Sequence, residues 1–350
     1  MSAVWDLSDF DAHEGVHLFR DRDSGLTAVI AVHSTALGPA AGGVRFWHYA
    51  TGEAAIVDAL RLSRGMSYKN AMAGLPLGGG KGVVLADAAG ATITEAQLLA
   101  FGNAVESLGG RYVTAEDVGM SEARMGVIAS RTRHVSGLPV AGGSAGGDPG
   151  PFTAMGVYLG VRAAASRALG SDRMAGVHVA IQGVGSVGGG LARLLAKDGA
   201  RLTLADVNVD KARALADELG AALAAADEVL ATECDIVSPN ALGAVLGERT
   251  INALRCKAVA GGANNQLVDA RHGALLATRG ILYAPDYVIN AGGIINVGLE
   301  YLGQGDRQEV EARIAQIPGR LESIWAASAA TGLPSSDVAD AQARRLIGRG

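Results

Sequence analysis

The sequence predicts an α/β protein of two domains, the second built on a parallel sheet covered by helices. Three observations lead there. The chain has 350 residues, which at about 150 residues per domain suggests two. A glycine-, proline- and serine-rich stretch from Val140 to Pro151, VAGGSAGGDPGP, interrupts it as a hinge or boundary does. Beyond that stretch, helical segments alternate with short apolar runs, the rhythm of βαβ units.

Taken in order, Val16–Phe19 and Leu26–His33 are β-rich runs separated by the hairpin signal Asp23-Ser24-Gly25. From Glu53 to Gly65, Ile56, Ala59, Leu60 and Ser63 recur at helical spacing and predict a helix with that face inward. Another helix is predicted over Thr94–Leu108, capped by Thr92 or Thr94. After the boundary, helices are predicted over Phe152–Leu169, Val187–Lys197 and Asn208–Leu219. The intervening apolar runs Val177–Ile181, Leu202–Ala205, Asp235–Val237, Ala258–Ala260 and Ile281–Ala284 read as strands. The tail, Arg307–Ile347, is helical with Pro318-Gly319 interrupting it.

Composition narrows the function. Hydrophobic residues make up 49% and charged residues 19%, enough apolar surface for a core and too much for disorder. With 30 basic against 35 acidic residues and no lysine/arginine cluster, no nucleic-acid partner is expected. No apolar run reaches the roughly 18 residues of a membrane span, and no leader pattern opens the sequence, so a cytoplasmic protein without membrane contact is expected. Cys234 and Cys256 are expected to be buried thiols in a reducing compartment. Glycine stands out: its 50 residues are bunched, which predicts tight turns and ligand loops.

One bunch carries a dinucleotide fingerprint. The strand ending at Gln182 runs into Gly183-Val184-Gly185-Ser186-Val187-Gly188 and then a helix, which is G-x-G-x-x-G in its required setting. Gly183 permits the turn, Gly185 lets a pyrophosphate approach, and Gly188 lets helix and strand pack. The helix N-terminus offers free N–H groups to the phosphates. Asp206 closes the next strand; its carboxylate would accept both ribose hydroxyls and repel a 2′-phosphate, so NAD is predicted over NADP.

A second bunch surrounds a lysine. Arg64–Asn70 reads RGMSYKN, and Leu75–Gly82 reads LPLGGGKG, placing Lys69 and Lys81 twelve residues apart. A phosphate loop is excluded, because Leu75 stands where its first glycine would fall and Gly82 where Ser or Thr is required. Glycine neighbours would let a ligand approach and leave the Lys81 ammonium unshielded; a second cation and partial burial would lower its pKa toward that of a usable base. A solvated lysine in a glycine-rich surface loop is the alternative. Asp117, in YVTAEDVG, is an acid after a short β-rich run that could steady a lysine. His13-Glu14-Gly15-Val16-His17 matches H-E-x-x-H, but it contains a glycine and runs into a strand, where residues four apart lie roughly 13 Å apart. No metal site is expected.

These blocks together resemble the leucine, phenylalanine and valine dehydrogenases, relatives of glutamate dehydrogenase. The resemblance spans nearly the whole chain: LGPAAGGVR at 37–45, RGMSYKN, LPLGGGKG, TAEDVG at 114–119, the glycine turn, GGANN at 261–265 and YAPDYVINAGG at 283–293. It implies reversible oxidative deamination of an L-amino acid to the 2-oxo acid and ammonia, with NAD accepting the hydride. Lys81 would be the general base, Lys69 would hold the substrate carboxylate, and Asp117 would partner Lys81 in proton transfer. Backbone around Gly42 and Gly43 would contact the substrate; Thr153, Asn264 and Asn290 would place the nicotinamide and its ribose. The side-chain pocket would involve Ala41, Ala115, Ile294 and Val297, all uncharged, which disfavours glutamate and favours a branched-chain or aromatic substrate.

The resemblance further implies two domains with a deep cleft between them and a homo-oligomer. Residues 1–140, joined by a C-terminal helix at about 322–350, would bind substrate and make subunit contacts; residues 141–321 would form a Rossmann domain. Two departures stand out: the glycine-rich segment from Gly142 to Pro151, and Pro318, which should break or kink the connecting helix. Rival readings are a catalytically inactive NAD-binding sensor of the same fold and a dehydrogenase acting on a hydroxy acid. The lysine pair speaks against the first, and the lack of a histidine in a matching motif against the second.

Overall fold

Two strands joined by the Asp23-Ser24-Gly25 turn open the molecule, β1 (Gly15–Arg20) and β2 (Thr27–Ser34), paired antiparallel with Gly25 in the left-handed region at φ 74°. The computed structural model describes residues 3–138, 145–304 and 306–350; Val140–Ser144 of the sequence-assigned boundary lie outside the described residues. The chain forms two compact units, one of Met1–Asp148, Ile294–Val310 and Ala343–Gly350, the other of Pro149–Gly293 and Glu311–Gln342.

In the first unit, β3 (Ala40–Trp47), helix α1 (Gly52–Met72), β4 (Gly78–Leu85), α2 (Glu95–Ser107), β5 (Tyr112–Ala115) and α3 (Glu122–Ala129) follow. The sheet order is β1-β2-β4-β3-β5, with β4 antiparallel to β2 and parallel to β3, and β5 parallel to β3. Apolar residues cover both faces. Ala55, Ala59 and Leu60 of α1 pack on Val29, Ala31 and Val83, while Phe101, Val105 and Tyr112 pack on Ile30, Val44 and Val84 from the other side.

Two elements differ from the sequence reading. Helix α1 continues seven residues past Gly65, because Gly65 faces solvent with nothing within 4 Å of where a Cβ would stand, and the helix tolerates it there. The glycine run from Gly78 to Gly82, for which composition predicts turns and ligand loops, is the interior of a sheet strand. Its missing side chains admit protein rather than ligand. A Cβ on Gly79 would collide with the backbone of Ser67 in α1, and one on Gly80 would stand 2.6 Å from the Tyr112 ring. Helix α2 is capped by Thr94, whose side chain accepts from the Gln97 N–H while Gln97 returns a bond to the Thr94 N–H.

The second unit holds α4 (Gly150–Leu169), β6 (His178–Gln182), α5 (Ser186–Lys197), β7 (Arg201–Ala205), α6 (Val209–Leu219), β8 (Ala222–Leu223), β9 (Ile236–Pro239), α7 (Glu248–Ala253), β10 (Ala258–Val259), α8 (Arg271–Thr278), β11 (Leu282–Tyr283) and α9 (Asp286–Ile289). Its sheet is parallel throughout, in the order β8-β7-β6-β9-β10-β11. That is the doubly wound dinucleotide-binding order, whose direction reverses between β6 and β9. Helices α10 (Gly292–Tyr301), α11 (Arg307–Ile314), α12 (Ile317–Thr331) and α13 (Ser335–Leu346) complete the chain. Pro318 breaks the predicted helix as expected: α11 ends, and α12 restarts with the proline in its first turn, where no N–H is needed. Trp325 of α12 is buried and donates to the Tyr283 carbonyl at 2.9 Å, tying that helix to the sheet edge.

Tyr112 joins these layers around the glycine strand, since its ring fills the space over Gly80 and its hydroxyl donates to the Gly42 carbonyl at 2.7 Å. Tyr112→Ala is therefore expected to lower unfolding free energy by about 4 kcal/mol, the loss typical of a large buried aromatic ring, as read by urea titration.

Candidate active site

The lysine that the glycines flank is buried, not unshielded. Lys81 sits in the middle of β4 beside Ala31 of β2, and 5% of its surface is exposed. Gly79, its neighbour on the same face of the strand, lets helix α1 close on the sheet at Ser67. Lys81 Nζ donates to Asp117 Oδ2 at 2.6 Å. Asp117 is delivered by the loop after β5, which the Phe46 N–H of β3 fastens by bonding the Val118 carbonyl at 2.9 Å.

Burial pushes the Lys81 amine below its ordinary pKa; Asp117 pulls the other way, and the nearby Arg45 guanidinium adds to the lowering. For Asp117, burial alone would raise the carboxyl, but Lys81 and Arg45 outweigh it and hold the group below its ordinary value. The result is a buried amine whose proton is held by one carboxylate and contested by a permanent cation. Among the side chains singled out from sequence, Lys81 and Asp117 are brought into direct contact.

Lys69 lies half-buried in the last turn of α1. Its neighbours stitch that turn to the sheet: Asn70 Nδ2 donates to the Ala41 carbonyl at 3.3 Å and the Gly78 carbonyl at 2.5 Å, and Ser67 Oγ lies 2.7 Å from His33 Nδ1. Gly42 and Gly43 are central in β3, where Gly43 pairs with Ala115 and Ala41 pairs with Gly79. Ala41 and Val297 are buried, Ala115 and Ile294 half-buried, and all four belong to the first unit. A Cβ on Gly298, beside Val297, would stand 3.1 Å from Leu75, just ahead of β4.

Arg45, Asp58 and Tyr49 are the site neighbours that sequence reasoning missed. Arg45 was visible as the end of LGPAAGGVR, but nothing in the spacing marks Asp58 as its partner. In H-E-x-x-H, His17 lies on strand β1, whereas His13 Nε2 is 3.0 Å from the Leu60 carbonyl and 3.0 Å from Ser63 Oγ.

The second unit presents the glycine turn at the end of β6. Gly183 takes φ 86°, and a Cβ there would stand 2.8 Å from Ala241; a Cβ on Gly188 would strike the Gly183 carbonyl. Gly185 is different: it caps α5 with no side-chain bond to the helix N–H groups, and no described residue lies within 4 Å of its Cβ position. The turn is thus closed on the protein side at Gly183 and Gly188 and open at Gly185, as a phosphate cradle requires. A cavity of ≈ 530 Å³ lies against it, lined by Val184, Gly185, Ser186, Arg193 and Lys211 among others. Val187, one residue into α5, fills the space against Gly262. Asp206 Oδ2 accepts the Val184 N–H at 2.8 Å and Oδ1 the Asn208 N–H at 2.9 Å, which fixes the carboxylate beside the turn.

Asn290 donates to Asn264 Oδ1 at 2.8 Å and the Gly262 carbonyl at 3.1 Å, while its own buried Oδ1 has no hydrogen-bond partner among the described residues. Thr153 Oγ1 donates to the Pro149 carbonyl at 2.9 Å and stands against Gly293. Asn240, just after β9, was not singled out from sequence; it accepts the Gly262 N–H at 2.8 Å and packs on Gly188 at the point where strand order reverses. The open cradle, the fixed Asp206 and the orphaned Asn290 oxygen fit a dinucleotide.

Comparison with known proteins gives concordant results. The profile described as Glu/Leu/Phe/Val dehydrogenase, dimerisation domain, matches residues 13–134, and that of Glutamate/Leucine/Phenylalanine/Valine dehydrogenase matches residues 206–332. Leucine dehydrogenase of Thermoactinomyces intermedius is 46% identical over 344 residues, 98% of this chain and 93% of that protein. Valine dehydrogenase of Streptomyces albus is 46% identical over 336 residues, covering 95% and 92% respectively. The crystal structure of L-tryptophan dehydrogenase from Nostoc punctiforme superposes with a TM-score of 0.84 at 38% identity, covering 96% of each chain.

Removing Asp117 would leave Lys81 buried without its carboxylate. Asp117→Ala is expected to destabilise the protein by about 3 kcal/mol near neutral pH. The deficit should shrink as pH rises, because a neutral amine needs no counter-ion; urea titrations at neutral and alkaline pH check both points.

Proposed function

The chain belongs to the glutamate/leucine/phenylalanine/valine dehydrogenase family, and from that membership we propose that it catalyses the NAD-dependent, reversible oxidative deamination of an apolar L-amino acid, branched-chain or aromatic, to the 2-oxo acid and ammonia. The single observation that carries the chemistry is the buried Lys81–Asp117 contact at 2.6 Å with the amine held below its ordinary pKa. A bound pyridine dinucleotide supplies a hydride acceptor. Everything else falls to the chain's own groups.

Lys69 holds the substrate carboxylate, so that Cα is oriented before reaction. Backbone of Gly42 and Gly43 lies alongside. Once the substrate's α-ammonium has released a proton to solvent, hydride departure from Cα of the free amine leaves an iminium carbon. Neutral Lys81 takes a proton from the water that attacks that carbon, giving a carbinolamine. The resulting ammonium gives the proton to the amine nitrogen, Asp117 takes the proton of the hydroxyl, and ammonia leaves as the oxo group forms. Ala41, Ala115, Ile294 and Val297 supply an uncharged pocket, which would leave a glutamate carboxylate without a partner. Discrimination by size there is worth only about 1–3 kcal/mol, so tolerance among apolar side chains is broad.

For the dinucleotide, Gly183, Val184, Gly185, Ser186, Val187 and Gly188 form the pyrophosphate turn. Asp206 takes the ribose hydroxyls and disfavours a 2′-phosphate, while Thr153, Asn264 and Asn290 flank the nicotinamide ribose. Membership also supports a homo-oligomer assembled through the first unit, working in the cytoplasm. Among the described residues no helix is long and apolar enough to cross a membrane.

Assay of NAD reduction across a panel of L-amino acids tests the reading: leucine, valine or an aromatic substrate should outpace glutamate, and the reverse order would overturn the pocket assignment. Lys81→Ala should lower kcat by about 10³-fold with NADH binding unchanged, whereas Lys69→Ala should chiefly raise KM. Because the reactive form of Lys81 is neutral and its pKa is lowered, the deamination rate should rise with pH along a limb lying below the ordinary lysine value.

A further inference from the structure

The Asp117 oxygen that accepts from Lys81 also accepts from a second cation. Arg45 Nε donates to the same Oδ2 at 3.0 Å, and its Nη1 donates to Asp58 Oδ2 at 2.9 Å. Asp58 is fixed in turn: Tyr49 donates its hydroxyl to Oδ2 at 2.6 Å and Arg61 Nη2 donates to Oδ1 at 2.9 Å. A chain of groups thus runs Lys81–Asp117–Arg45–Asp58, drawn from β4, the loop after β5, β3 and α1. Neither carboxylate is more than a quarter exposed.

We propose that Arg45 is a positioning residue that sets the proton affinity of Lys81, by occupying part of Asp117 and by holding a permanent positive charge next to the amine. The proposal rests on the reading of Lys81 as the base. One carboxylate oxygen shared by two donors cannot give its full attraction to either. A guanidinium stays charged at any working pH, so its share of Asp117 is constant while that of Lys81 depends on protonation. Asp58 keeps Arg45 from swinging wholly onto Asp117 and partly neutralises its charge.

The elements packed against β4 carry Arg45 on β3, Asp58 and Lys69 on α1, His33 on β2, and Glu116 and Asp117 after β5. The leading electrostatic influences on Lys81 among them are Asp117 and Asp58, which favour the ammonium, and Arg45, which opposes it. Opposite substitutions should therefore move Lys81 in opposite directions. Only a planar fork bridges two carboxylates through Nε and Nη1, so lysine at position 45 would keep the charge and lose the bridge.

The chain has five lysines, so protein labelled with ¹³C/¹⁵N-lysine gives few signals, and Lys81→Met assigns the one of interest. Titrating that signal in the intact protein, we expect Arg45→Met to raise the Lys81 midpoint by about one pH unit. Arg45→Lys should raise it by less and serves if the methionine variant fails to fold. Asp58→Asn should lower it. The alkaline-activated limb of the deamination rate should follow each shift, with Arg45→Met about tenfold slower below the limb and near wild type above it. A residue that merely braces the fold would depress the rate equally at every pH. An unmoved Lys81 midpoint in both Arg45 variants, or shifts of the same sign in Arg45→Met and Asp58→Asn, overturns the proposal. If the midpoints move as stated while the rate limb stays put, the role of Arg45 stands and the assignment of Lys81 as the base falls.

Discussion

A single ammonium, taken out of water inside a β-sheet, constrains the whole first unit. Leaving a lysine in an apolar layer is unfavourable unless it is paired or neutral. The sheet meets that demand by bringing Asp117 to 2.6 Å and by tolerating a lowered pKa. Getting the amine there requires a strand almost without side chains, because α1 on one face and Tyr112 on the other both press against the backbone of residues 79 and 80. The glycines that look from sequence like an invitation to ligand are what allow the protein to bury Lys81.

The second unit solves a different problem with the same residue. There, glycines at 183 and 188 let strand and helix close on each other, and the glycine between them leaves the helix N-terminus open. Together the two units hold one group suited to moving protons and one surface suited to a dinucleotide, consistent with a family of amino-acid dehydrogenases.

Much of this was legible in the sequence, for physical reasons that differ between the halves. The parallel sheet announced itself because five of its six strands are short apolar runs and α4, α5 and α6 are periodic; the two-residue β8 and the short helices α7 and α8 left no such signal. Strands β3 and β4 were hidden, since glycine carries no strand preference and a lysine amid four glycines imitates a loop. The extent of α1 was hidden too, because Gly65 and the polar faces of Ser67 and Asn70 mask the helical period that places Lys69. Least legible was the ionic chain. The bonded pairs among Arg45, Asp58, Lys81 and Asp117 lie 13 to 72 residues apart, and only the register of the sheet together with the packing of α1 on it brings them together.

In the proposed reaction a neutral amine at position 81 takes a proton from water during turnover. Chemical rescue addresses it most directly: in Lys81→Ala, small primary amines supplied in solution should restore deamination in proportion to their free-base concentration, with more basic amines rescuing better at equal free base. Rescue that tracks the protonated amine, or no rescue in a variant that still binds NADH, would contradict it.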